Sequence, residues 1–311
     1  MGKFADSVDP SSFTVLDPPD YVFLCGGQLE DLEHSLRAQF YARKIKTDPN
    51  LLGRVQLSES ANKWYRAHEH FEDLLELEEY LAGLSACILL FVESPGAIAE
   101  LGAFTQMVSL REKLILVLEQ FYEGKPSFIL DGPIKFATRS GFGRVLWYPW
   151  LIDPAGSPPF RVDPAALDDT LDAIAETLLE TLANRPRTCA FQSGDHGHRM
   201  LLIADLVKLS VVCHESEIQG ILTELGINCE SGTLTKYLYL LSKLGLIATE
   251  KYGHIDYFFC GVGTPDHIKY APKTPADRMK LAGRLREDLP MSVEKKRAYD
   301  AHIRRTPGAA R

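Results

Sequence analysis

No stretch of this chain is apolar for the roughly 20 residues that a membrane-crossing helix requires. The opening MGKFADSVDP carries no apolar signal core, so the expected location is the cytoplasm. Gly2 alone does not make a myristoylation signal, because position six is Asp6 rather than Ser or Thr. The six cysteines (Cys25, Cys87, Cys189, Cys213, Cys229, Cys260) include no CxxC pair. Reduced thiols in apolar surroundings are expected, neither disulfides nor zinc ligands. His68 and His70, and His196 and His198, lack the i, i+4 pairing and cysteine partners of a metal motif, so no metal site is expected. GxGxxG is absent and no internal repeat is present.

Charge is unevenly placed. From Asp266 to Arg311 there are twelve Lys/Arg against six Asp/Glu, which leaves −14 on the remainder of a chain whose total is −8. A basic C-terminal stretch on an acidic body suits an anionic partner, although a solvated tail would look the same.

Periodicity gives the organisation. Residues 1–19 are polar and Pro-rich and read as a flexible arm. Tyr21–Cys25 is a first strand, followed by helical periodicity from Gln28 to Lys46 and a weaker strand at Arg54–Leu57. Trp64 to Leu84 reads as one long helix, Cys87 to Val92 as strand three, and Ala97 to about Leu110 as the next helix. Lys113–Leu118 and Gly143–Trp147 complete an alternating pattern. That alternation predicts an α/β fold, a Rossmann-like open parallel sheet with flanking helices over residues 20–152. A connecting helix and linker follow over 153–197. Three helices (Met200–Val212, Glu215–Leu225, Gly232–Leu244) and a β-hairpin around Lys251-Tyr-Gly-His254 then predict a mainly helical winged-helix domain over 198–262. Residues 263–311 form the basic tail.

The chemistry concentrates in Ile88–Phe104, ILLFVESPGAIAELGAF. A buried strand runs into a Glu-Ser-Pro-Gly turn and a helix whose opening turns hold Glu100. Open α/β sheets bind ligands at that edge, and a helix N-terminus favours a carboxylate and anionic groups. Glu100 is therefore the candidate nucleophile toward an anomeric carbon; a solvated helix residue is the plain alternative. Gly96 and Gly102 would keep backbone close to the site. Glu93 could contact a ribose hydroxyl or orient Glu100, and Ser94 would help hold ribose and phosphate. Glu78 lies in the acidic run 72–79, one acid of which could protonate a leaving base or bind a hydroxyl while most of the run makes a solvated charged face. Cys25-Gly26-Gly27 would let backbone approach a ligand, and Asp131 in the loop after strand four is placed to reach the site or a neighbouring subunit, with a plain turn as the equal alternative.

For nucleic acid or partner binding, Gly232–Gly245 has the make-up of a recognition helix, with Lys236 and Lys243, and the hairpin would add Lys251 as a wing. With only two lysines and no arginine on that helix, phosphate contacts by Arg284, Arg286, Lys295, Lys296 and Arg297 are the more plausible anion-binding set.

Phe23-Leu-Cys-Gly-Gly27, Glu93-Ser-Pro-Gly96, Glu100-Leu-Gly-Ala-Phe104, Ser127-Phe-Ile129 and Gly132-Pro133, in that order, closely resemble retron effector proteins with an N-terminal nucleoside deoxyribosyltransferase-like domain and a C-terminal winged-helix domain. The motif resemblance covers about the first 135 residues; beyond them the match is architectural. It implies an antiphage toxin controlled by a reverse transcriptase and its msDNA, an RNA–DNA hybrid. It further implies cleavage of an N-glycosidic bond, most readily in NAD+ as substrate with no cofactor, and a homo-oligomer or higher-order complex. Glu100 matches the nucleophilic glutamate of that family and Glu78 an acid preceding strand three. Two positions depart from the deoxyribosyltransferase pattern: Ser94 stands where those enzymes have an aspartate, and Ala86-Cys87 replace an acid. Both argue against base exchange and leave hydrolysis of a larger nucleotide open. The alternatives are a deoxyribosyltransferase or hydrolase acting on deoxy substrates, and a nucleotide-sensing DNA-binding regulator that does not cleave.

Overall fold

The computed structural model describes residues 2–67, 70–139, 143–261 and 263–305. The chain forms two compact units, Pro19–Arg185 and a second one made of Met1–Pro18 with Pro186–Arg311.

In the first unit, β1 (Tyr21–Cys25), β2 (Val55–Leu57), β3 (Ser85–Phe91), β4 (Leu114–Glu119) and β5 (Arg144–Tyr148) make one five-stranded sheet. The order is β2-β1-β3-β4-β5 with every pairing parallel. The strands are short, and β3 and β4 are buried along nearly all their length, as expected of a parallel sheet covered on both faces. Helices α1 (Leu36–Phe40), α2 (Ser58–Ala67), α3 (Leu74–Leu84), α4 (Pro95–Gln106) and α5 (Pro164–Asn184) make the crossovers and the cover. One face closes over Leu24, Leu89, Phe91 and Val117, against which α5 sets Leu167, Leu171, Ile174 and Leu178. Chain order reverses at β1, which lies between β2 and β3. Sheets of this kind open their ligand crevice at such a reversal, beyond the carboxyl ends of the strands.

Local chemistry sets the helix ends. Ser94 caps α4, its Oγ accepting the Ala97 N–H at 3.1 Å, with Pro95 in the first helical position. Asp73 caps α3 through the Glu76 N–H at 2.9 Å. That cap is why Trp64–Leu84 is two helices, α2 and α3, rather than the single one its periodicity suggests. Likewise Gln28–Lys46 is helical only from Leu36, where Ser35 caps through the Ala38 N–H at 3.0 Å.

In the second unit, helices His196–Ser210, Glu215–Glu224 and Ser231–Lys243 precede an antiparallel hairpin, Ile247–Tyr252 with Ile255–Cys260, turned at Gly253 with φ +64. Cys213–His214 adds a third strand to it. The expected arm and tail are ordered parts of this unit. Strand Thr14–Leu16 lies between Thr188–Ala190 and Ile268–Lys269, and Phe4, Val8, Phe13 and Val15 are buried. Helices Arg278–Asp288 and Val293–Arg305 occupy the basic stretch. Asp205, fully buried, ties it in: it accepts from Tyr270 Oη and an Arg278 guanidinium N–H, each at 2.7 Å, and from the His267 N–H at 2.9 Å. Polar composition hid these segments, because each buries only one residue in three or four.

Candidate functional site

Glu100 sits on the second turn of α4, at the carboxyl end of β3, as the sequence placed it. Its Oε2 is buried without a hydrogen-bond partner among the described residues. Burial pushes its carboxyl up to about 7, against the opposing pull of the Arg37 guanidinium, while the Glu59 charge adds to the rise. Glu78, on α3, is 2% exposed. Burial, joined by the Glu100 charge, pushes it up to about 8. At pH 7 Glu78 is therefore mostly protonated, while Glu100 is divided between its two forms. The arrangement offers one carboxylate for a developing cation and one carboxylic acid for a leaving group. The two residues singled out for chemistry thus share one electrostatic pocket.

Arg37 and Glu59 complete the pocket, and neither stands out in the sequence. Arg37 is fully buried. Its guanidinium donates to Leu24 O at 2.8 Å, Gly27 O at 2.7 Å and both Glu59 oxygens at 2.7 Å. Burial pushes the Glu59 carboxyl up, but Arg37 prevails and holds it below the usual range. A lone arginine in a helix reads as solvated; only its position one helix after β1, under two glycines, could have flagged it.

The residues expected to hold substrate mostly hold the fold. Glu93 accepts four hydrogen bonds: from Gly27 N–H at 3.0 Å, Ser35 Oγ at 2.7 Å, Leu36 N–H at 2.7 Å and Arg37 N–H at 3.2 Å. Burial pushes its carboxyl above the usual range against those donors. It buckles the β1 loop and the start of α1 to the end of β3, which corrects its assignment as a ribose contact. Ser94 is spent on capping α4. Gly26, at φ +144, is required by crowding: a Cβ there would lie 2.8 Å from Phe91 Cβ and 3.0 Å from Arg37 Cδ. At Gly27 it would lie 2.7 Å from Glu93 Oε1. Both glycines therefore serve the approach of Arg37 and Glu93, with no ligand needed to account for them. Cys25 is fully buried, its thiol pushed well up by burial and then by the Glu100 and Glu78 charges, and it offers nothing to a ligand. Gly96 is exposed in the first turn of α4.

Asp131 and Gly102 lie elsewhere. Gly102 is about 200° around the helix from Glu100. It lines an open groove of about 560 Å³ together with Asp131, which is exposed and pairs with Lys135 at 3.8 Å.

The basic candidates divide similarly. Lys295 is 3% exposed and paired to Glu217 at 2.6 Å, a structural role that removes it from any nucleic-acid surface. Arg286 is exposed but donates to Leu209 O at 2.9 Å. Lys243, Lys251, Lys296 and Arg297 are exposed; Lys236 and Arg284 are half-buried. His196 bonds Tyr237 Oη at 2.8 Å and His198 accepts the Gln192 N–H at 3.1 Å, both architectural; His68 lies outside the described residues. Among the described residues no group of three or more His, Cys, Asp or Glu could hold a metal ion, and no helix is long and apolar enough to cross a membrane.

A protein of Escherichia coli, described as a proposed ribosyltransferase/DNA-binding protein of retron Ec86, is 34% identical over 128 residues, 40% of this chain and 39% of that protein. Its counterpart from retron Ec73, also of Escherichia coli, is 33% identical over 124 residues, 38% of each chain. The chain thus matches about two-fifths of the length of these curated relatives. The model of the STM3845 retron effector protein family matches residues 33–249. Because that match takes in well over half of the 311 residues, the chain belongs to the STM3845 retron effector family.

Proposed function

We propose that this retron effector breaks the N-glycosidic bond of a nucleotide, with NAD+ as the favoured substrate. The observation that carries the reading is the half-buried Glu100 carboxyl, whose buried Oε2 has no hydrogen-bond partner among the described residues, close enough to Glu78 to raise its carboxyl at the ligand-binding edge of the sheet. In this reading Glu100 attacks or shields C1′ as the bond to the nicotinamide nitrogen breaks. The bonding pair goes to that nitrogen, whose positive charge is neutralised. Water then attacks C1′, freeing Glu100 as carboxylate and giving one proton to solvent. The products are nicotinamide and ADP-ribose, and no resident cofactor takes part.

Glu78 favours a second reading. A group held protonated near neutrality is what a neutral purine or pyrimidine needs on departure. Nicotinamide leaves without that help. A deoxynucleoside or deoxynucleotide substrate would use Glu78 as acid on departure and as base toward the incoming water or acceptor.

The second unit supports a winged-helix reading, since three helices lead into a hairpin. Lys243 and Lys251 are on its exposed surface, and Lys296 and Arg297 extend the basic set. We assign to it contact with the reverse transcriptase and msDNA of the retron, in the cytoplasm and in a homo-oligomer or larger complex. The relatives' printed description as DNA-binding supports nucleic acid on the same chain.

The test is nicotinamide release from NAD+ by the wild type beside Glu100→Gln, with deoxynucleotides as competitors. Release by wild type alone is expected. Equal release by both would remove Glu100 from the chemistry. Base release from deoxynucleotides with none from NAD+ would replace the first reading by the second. A promoter-specific DNA complex with no turnover of either class would make the protein a sensor.

A further inference from the structure

The groove beside α4 differs in character from the unit that carries it. Residues 19–185 hold fifteen Lys/Arg against twenty-five Asp/Glu. The groove reverses that sign: Lys135 and Arg139 are exposed on its wall, and Asp131 is the one acid lining it among the described residues. Its surface is aromatic. Phe128 is 87% exposed. The far end of its ring lies 3.7 Å from where a Cβ on Gly132 would stand, and the rest of the side chain is open. Phe136 lies within 6 Å of two guanidiniums, Arg111 at 5.4 Å and Arg139 at 5.9 Å. Gly102 supplies room, with nothing within 4 Å of where its side chain would begin.

We propose that this groove seats single-stranded DNA, one base stacked on Phe128 and the flanking phosphates between Lys135 and Arg139. An aromatic platform edged by cations is how proteins hold single strands without reading their sequence. An open groove has room for a backbone that must enter and leave, and about 560 Å³ is ample for a stacked nucleotide. A neutral apolar partner would gain nothing from the two cations, which stand in a unit that otherwise repels polyanions. The site is separate from the Glu100 pocket, because Gly102, Thr105 and Gln106 present the other side of α4. It does not depend on the glycosidase reading, and it adds a contact on the sheet unit to those assigned to the second unit.

The test uses the full chain and a 12-nucleotide oligo(dT) carrying one 5-iodouracil. Irradiation is expected to crosslink the base to Phe128 or a neighbour in 128–139. In anisotropy, Phe128→Ala is expected to weaken binding about tenfold. The double substitution Lys135→Ala with Arg139→Ala should flatten the slope of log K against log salt by about 1.4. Both changes are on exposed side chains, and unchanged tryptophan fluorescence will show that the unit remains folded. Crosslinks confined to residues 186–305, with Phe128→Ala binding as wild type, would overturn the proposal. So would equal competition by dTTP, which would make the groove a mononucleotide pocket. A change in sedimenting mass on Phe128→Ala with oligonucleotide affinity intact would assign the surface to contact between copies and also refute it.

Discussion

Replacing Glu93 with glutamine tests whether this acid serves the fold or a substrate. Four donors reach the side chain, and only the carboxylate satisfies them all. In Glu93→Gln the amide oxygen can take the place of Oε1, which serves Gly27, Ser35 and Arg37. The amide NH2 then faces the Leu36 N–H, which reached Oε2 at 2.7 Å, donor against donor. One orphaned backbone donor costs about 1–3 kcal/mol, and three bonds lose their ionic reinforcement. Allowing for relaxation, the unit should lose about 3 kcal/mol. The three tryptophans, Trp64, Trp147 and Trp150, all lie in residues 19–185, so tryptophan fluorescence in urea reports on this unit. With a slope of about 2 kcal/mol per molar, the midpoint should fall by about 1.5 M. A midpoint within about 0.25 M of wild type, roughly 0.5 kcal/mol, would refute the buckle. If KM for the nucleotide rose instead, Glu93 would return to the substrate.

Glu59→Gln removes a charge that raises the Glu100 carboxyl and leaves Arg37 less compensated, so the acid limb of base release should move below about 7; a shift to higher pH would contradict the pocket's electrostatics. Both Glu78 and Glu100 bind protons more tightly in the fold than in the unfolded chain. Stability of the sheet unit should therefore be greatest below about 4.5 as far as these groups are concerned, and decline as pH rises to about 8; Glu78→Gln should flatten that decline in urea titrations at several pH values. Lys295→Met leaves the half-buried Glu217 carboxylate with only the His214 N–H at 3.1 Å and the His214 ring at 3.5 Å and should cost about 2 kcal/mol, while leaving oligonucleotide affinity unchanged if the lysine is structural. Cutting the chain after Gly263 removes Tyr270 and Arg278 from Asp205, so circular dichroism should show loss of the second unit rather than release of a tail.

The sheet and its order of elements were legible because buried parallel strands are continuous apolar runs, and Glu100 was legible because a Glu-Ser-Pro-Gly turn announces a strand end and a capped helix. The roles of Glu93, Ser94 and the two glycines were not. A carboxylate that binds a ribose and one that binds three backbone N–H groups look alike in sequence, since the donors come from Gly27 to Arg37, more than fifty positions away. Arg37 and Glu59 escaped notice for the same reason. The arm and tail were misread because their order depends on pairing across most of the chain: Phe4 N–H bonds Asp288 at 2.8 Å, and no local pattern encodes that.

That pairing fixes an order of events during synthesis. Residues 19–185 are complete on the ribosome while the segment that must join residues 2–18 is still untranslated. At 5–20 residues per second the 120 residues from 186 to 305 take about 6–24 s. For that interval the unit carrying Glu100 can fold, whereas the unit through which we assign control has only its first piece. On the function proposed above, the unit that carries Glu100 is complete in the cell before the unit assigned to its control can close.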